Sequence, residues 1–104
     1  MSATNYLYSS PDFLHYAAIT TGTTGNLNLM ALDPKGQNRL CRRILVRGPT
    51  VGTLAQLVVV RGDGTTVTLK VLPGVSEEIQ VKTIIAGDAG AGTGTLGTEI
   101  TVYW

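Results

Sequence analysis

A chain of 104 residues fits one domain and leaves little room for a second core. Its one cysteine, Cys41, excludes an intrachain disulfide, and a formal net charge of +1 with no long basic tract gives no reason to expect nucleic acid or an anionic membrane as partner. Charged residues make up 14% of the chain, against about 25% in an average globular protein, while hydrophobic residues make up 43%; this excludes disorder and points to a surface partly covered by other subunits.

Residues 1–13 show no clean period and carry Asn5, Ser9, Ser10, Pro11 and Asp12, so they read as an arm. Tyr6, Leu7, Tyr8 and Phe13 make that arm apolar, as a segment held against a neighbour would be. It lacks the basic and apolar regions of a secretion signal, and no run of about 18 apolar residues occurs, so the chain is expected to be made in the cytosol and not addressed by a standard signal.

From residue 14 onward, short apolar runs alternate with turn residues roughly every ten positions, the pattern of a β-sandwich or barrel. Strands are expected over 14–20, 27–32 and 39–47, the second closed by the turn Asp33-Pro34-Lys35-Gly36. Residues 54–61 and 65–71 flank Gly62-Asp63-Gly64 as a hairpin. In its second arm Val67, Leu69 and Val71 share one face, with Thr66, Thr68 and Lys70 on the other. Residues 78–85 put Ile79, Val81 and Ile85 together, with Gln80 and Lys82 opposite. The glycine-rich residues 87–97 read as a flexible loop with no core of its own. Residues 99–104 form the last strand, with Ile100, Val102 and Trp104 on one face; Trp104 is either a lid on the core or an anchor in a subunit interface. The expected fold is all-β, a single small antiparallel β-sandwich of jelly-roll-like form over 14–104, preceded by an extended N-terminal arm over 1–13.

The groups able to carry chemistry are few. His15 is the single histidine and reads as a structural or surface residue in its strand. Cys41 alternates with Arg43 and Leu45 and reads as a small strand residue, and neither it nor His15 has metal-ligand spacing. Glu77 and Glu78 are adjacent, so strand alternation sends them to opposite faces, and they cannot act as a carboxylate pair on one bond. Gly92-Thr93-Gly94-Thr95-Leu96-Gly97 spells a dinucleotide-binding pattern, but a terminal strand follows it where that motif needs a helix. Arg61-Gly62-Asp63 spells an integrin-binding tripeptide whose glycine and aspartate a hairpin turn selects anyway. No catalytic residue, metal or cofactor is expected. Arg39, Arg43 and Arg47 fall on one strand face, with Arg42 opposite, as a row able to meet carboxylates of a neighbour.

The order Arg43-Ile44-Leu45-Val46, Leu57-Val58-Val59-Val60, Asp63-Gly64, Thr66-Val67-Thr68-Leu69-Lys70, Val71-Leu72-Pro73-Gly74, Ile79-Gln80-Val81-Lys82, Gly94-Thr95 and Ile100-Thr101-Val102-Tyr103 resembles small virion proteins of tailed phages and gene transfer agents. It is similar in particular to head-spike base proteins and more loosely to capsid decoration, or cement, proteins. The likeness covers about residues 43–103. It implies a non-enzymatic sandwich on the capsid exterior, made in the host cytoplasm and bound to a major capsid protein as a symmetric homo-oligomer, threefold or fivefold. The contact residues expected on this reading are Tyr6, Leu7, Tyr8 and Phe13 in the arm, Arg43 and Arg47, and Tyr103 and Trp104 at the terminal edge. A carbohydrate- or receptor-binding module is the rival, and would need a platform of exposed aromatics. A small hydrolase would need a nucleophile and base that a single histidine hardly supplies.

Overall fold

A computed structural model describes residues 12–16, 19–22, 24–47, 54–88, 90–96 and 99–104. Among them are eight strands: β1 (Phe13–Tyr16), β2 (Leu27–Asn28), β3 (Arg43–Arg47), β4 (Ala55–Arg61), β5 (Thr66–Val71), β6 (Ser76–Glu77), β7 (Val81–Ile84) and β8 (Glu99–Tyr103). They form two four-stranded sheets, in the orders β1-β8-β3-β6 and β2-β7-β4-β5, with every pairing antiparallel. First pairs with last, second with seventh, third with sixth and fourth with fifth. This nesting is what results when one long antiparallel ribbon rolls up on itself, so the sandwich is a jelly roll.

Strand alternation builds the core between the sheets. Ile44 and Val46 of β3, Ile100 and Val102 of β8, and Leu57 and Val59 of β4 are fully buried. In β5, Val67 and Leu69 pack inward while Thr66, Thr68 and Lys70 are exposed, as their spacing predicts. β7 departs from simple alternation. Val59 faces Ile84 and Val60 faces Thr83, but Arg61 faces Val81, so Lys82 is the extra residue of a bulge. The bulge shifts the phase and lets Val81 and Ile84 both point into the core, where unbroken alternation predicts partners two apart.

Several expected elements are shorter in the structure because main-chain partners run out. Within and just before the expected 14–20 strand, β1 takes Phe13–Tyr16, and Thr20 meets Gly87 in an isolated parallel bridge. The 27–32 strand stops at Asn28, where the chain turns so that Leu32 N–H reaches the Asn28 carbonyl. The 78–85 strand shortens to β7 at 81–84, and Ser76–Glu77 just ahead of it form β6, which belongs to the other sheet. The Asp33 turn forms as expected: its carboxylate takes the Lys35 N–H at 2.9 Å, and its carbonyl takes that of Gly36 at 2.9 Å.

The glycine-rich loop is the largest departure. Beyond Ile85, whose N–H still bonds the Val58 carbonyl at 2.9 Å, the chain leaves β4 and then returns to fill the vacated side. There Leu96 N–H bonds the Gln56 carbonyl at 2.9 Å, and Thr95 Oγ1 takes the Val58 N–H at 3.1 Å. Thr95 is buried. The expected flexible loop is thus docked main chain on main chain. Its glycines are what allow the approach: a Cβ on Gly87 would lie 1.8 Å from the Thr95 carbonyl oxygen, and one on Gly94 would lie 2.1 Å from that of Ala86.

Candidate interaction surface

The outer face of the β1-β8-β3 sheet brings together residues scattered along the sequence. Register places Tyr103 opposite Phe13 on one side and opposite Arg43 on the other. The three side chains touch in a row. The Phe13 and Tyr103 rings lie 5.8 Å apart at a 37° tilt, and the Arg43 guanidinium carbon stands 4.3 Å from the Tyr103 ring centroid. Both geometries are attractive, the first a tilted contact between two rings and the second between a cation and the ring quadrupole. Phe13 keeps 46% of its surface exposed, and Arg43 is also exposed.

The next row on this face is His15, Thr101 and Leu45, with His15 Nδ1 at 2.9 Å from Thr101 Oγ1. Beyond it Arg47 pairs in register with Glu99, and Glu99 Oε2 lies 3.5 Å from His15 Nε2. Arg43 and Arg47 share the outer face as their spacing predicts. Beside the first row a hollow of about 390 Å³ adds Asp12, Arg42 and Glu78 to the aromatic wall. Arg42 Nη2 is committed within the molecule, donating to the Trp104 main-chain oxygen at 2.7 Å. Arg43 is exposed and its guanidinium is a fork suited to a carboxylate, and Phe13 offers apolar surface to a neighbouring side chain.

No family model, no curated protein and no solved structure matches the chain. The surface is therefore read from its own geometry.

Two expected contact residues are placed differently. Trp104 is 1% exposed, donates from Nε1 to the Arg39 carbonyl at 3.2 Å, and bonds through its N–H to the Asp12 carbonyl at 2.8 Å. It is a core residue, so of its two possible roles the structure gives it the lid and not the exposed anchor. Arg39 is not in line with Arg43 and Arg47, because β3 begins at Arg43 and strand parity does not extend back through the preceding turn. Arg39 instead grips Asp33 with Nε on Oδ2 and Nη2 on Oδ1, both at 2.8 Å, and reaches Asp12 at 3.3 Å. That fork holds the Asp33 carboxyl well below the usual carboxylate range, outweighing the opposing effect of burial.

Cys41 fails the same parity expectation. It points into the core while Arg43 points out, and burial pushes its thiol up to about 11. Phe13, expected as the end of the arm, is the first residue of β1. Tyr6, Leu7 and Tyr8 lie outside the described residues. The Arg61-Gly62-Asp63 segment is a hairpin turn: Asp63 Oδ1 takes the Thr65 N–H at 3.0 Å, and Gly64 adopts φ of 91°.

Sequence reasoning missed His15 and Glu99 as parts of this face, and it placed Phe13, Arg43 and Tyr103 on separate elements. Their convergence depends on β8 inserting between β1 and β3, which no local pattern specifies.

Proposed function

We propose that the chain is a non-enzymatic virion structural protein, a capsid decoration or cement subunit that binds the assembled shell of a phage-like particle and stabilises it. The observation that carries this reading is the Phe13–Tyr103–Arg43 row. It is a half-exposed aromatic pair backed by an arginine fork on a rigid three-stranded platform, the composition that dominates protein–protein contacts. The jelly roll adds weaker support by analogy, since that architecture serves capsid and lectin domains alike. A subunit that binds only the assembled shell stabilises it by mass action, and the effect accumulates over the copies bound. The major capsid protein would supply a carboxylate to Arg43 and an apolar group to Phe13, and the apolar side chains of residues 1–11 would add to the contact.

Cryo-electron microscopy of purified particles tests this. The chain is expected in repeated, symmetric copies on the shell exterior, with the Phe13 row at the contact. A Phe13→Ala, Arg43→Glu double variant should lose occupancy by about tenfold or more while remaining folded. A chain lacking residues 1–11 should also fold and fail to decorate. Particles without the chain, or full occupancy by the double variant, would refute the reading.

One observation favours a second reading, a head-spike base or a receptor- or carbohydrate-binding module on the virion surface. The Phe13 and Tyr103 rings wall a polar hollow that contains Asp12, Arg42 and Glu78, a combination suited to a sugar ring. A glycan array separates the two: selective retention that disappears in Tyr103→Ala would favour the module.

A further inference from the structure

We infer that free copies of this chain pair through β5, joining their β2-β7-β4-β5 sheets across a twofold axis at Thr68. A sheet edge displays unpaired N–H and C=O groups, and proteins blunt such edges with short strands, bulges, prolines or projecting charges. Among the described residues three of the four edges are short: β2 and β6 have two residues each, and β1 has four. β5 has six, contains no proline, and pairs with β4 in unbroken register. Its one charge is turned away, with Lys70 Nζ drawn over the sheet face to Gln56 Oε1 at 2.5 Å.

Ladder geometry identifies the open groups. The Arg61 N–H bonds the Thr65 carbonyl at 2.8 Å, so Thr65 belongs to a hydrogen-bonded pair with β4, and so by alternation do Val67, Leu69 and Val71. Thr66, Thr68 and Lys70 therefore direct their main-chain groups away from β4. Among the described residues no main-chain bond reaches them. Val67 and Leu69 point inward yet remain only partly buried, because the core is incompletely covered along this margin.

A second copy of β5, antiparallel, matches this edge in one register. With Thr68 opposite itself, Thr66 lies opposite the copy's Lys70, and all outward N–H and C=O groups meet their complements. Thr68 faces threonine, a favourable cross-strand pair, and no like charges are opposed. The contact is isologous and closes at two copies, so it does not propagate. It is independent of the shell reading, since it concerns the free chain; on a shell it would tie adjacent subunits across a twofold.

Position 68 faces itself only in this arrangement, and that makes the test specific. Light scattering after size exclusion should give twice the chain mass for the wild type across the micromolar range. Thr68→Lys and Thr68→Asp should each fall to the monomer mass, with circular dichroism unchanged because the side chain is exposed. An equimolar mixture of the two variants should return to the dimer mass. A monomeric or trimeric wild type, dimeric single variants, or a mixture that stays monomeric would each overturn the proposal.

Discussion

Two irregular corners of the sandwich are fixed by opposite means. At one, the segment preceding β3 is held by a charge: Arg39 forks onto the fully covered Asp33 carboxylate and its carbonyl caps the Trp104 indole. At the other, residues 86–87 and 94–95 are held by the absence of side chains, carbonyl against Cα, with Thr95 Oγ1 standing in for a missing strand at Val58. The first corner depends on protonation and the second on volume. A long chain segment can thus be pinned without regular structure either by satisfying a buried ion or by removing the atoms that keep backbones apart.

The volume-dependent corner should break hardest. Gly87→Ala or Gly94→Ala forces a Cβ into a carbonyl, and at Gly94 it also meets a φ of 73°, so each should cost more than about 3 kcal/mol and appear as loss of the cooperative thermal transition. Next comes Arg39→Ala, which strands the Asp33 carboxylate among Lys35 and Arg39 amides without its counter-ion. A clear drop in melting temperature is expected at neutral pH. Thr95→Ala leaves the buried Val58 N–H unpaired and should cost about 1–3 kcal/mol in urea titration, whereas Thr95→Ser, which keeps the hydroxyl, should recover most of it.

Acid should separate the corners most finely. A carboxyl with a folded-state pKa below its unfolded value stabilises the fold fully above the unfolded pKa, near about pH 4, and loses that contribution as pH falls toward the folded value. Asp33 is such a group, through the Arg39 fork first and main-chain N–H groups second. The melting temperature should therefore decline below about pH 4, and the decline should be shallower in Asp33→Asn, which begins from a lower value. An acid limb identical in the two proteins would show that the Asp33 pair does not set it.

The difference between these corners also explains what the sequence disclosed. Alternation in 66–71 and 99–104 identified the inward residues of β5 and β8, because a half-buried strand writes its faces at period two. Asp33-Pro34-Lys35-Gly36 and Gly62-Asp63-Gly64 identified turns, because those residues act on their own backbone. Glycines at 87 and 94 look alike whether they confer freedom or permit contact, and only the chain they meet distinguishes the two. Arg39 and Cys41 were misplaced by carrying parity across a strand boundary that composition does not mark. On the candidate surface, Phe13, Arg43 and Tyr103 were each identifiable as contact residues, but their adjacency was not, since it belongs to pairings between residues up to 90 positions apart, as in Phe13 with Tyr103.

That same nesting has a consequence during synthesis. The β4–β5 hairpin can close as soon as it leaves the ribosome, but the row of Phe13, Tyr103 and Arg43 waits for β8, which follows the seven other described strands, to slide between β1 and β3. Until β8 arrives, β1 has no partner strand among those described, so this row is completed only after β2 to β7 have been made.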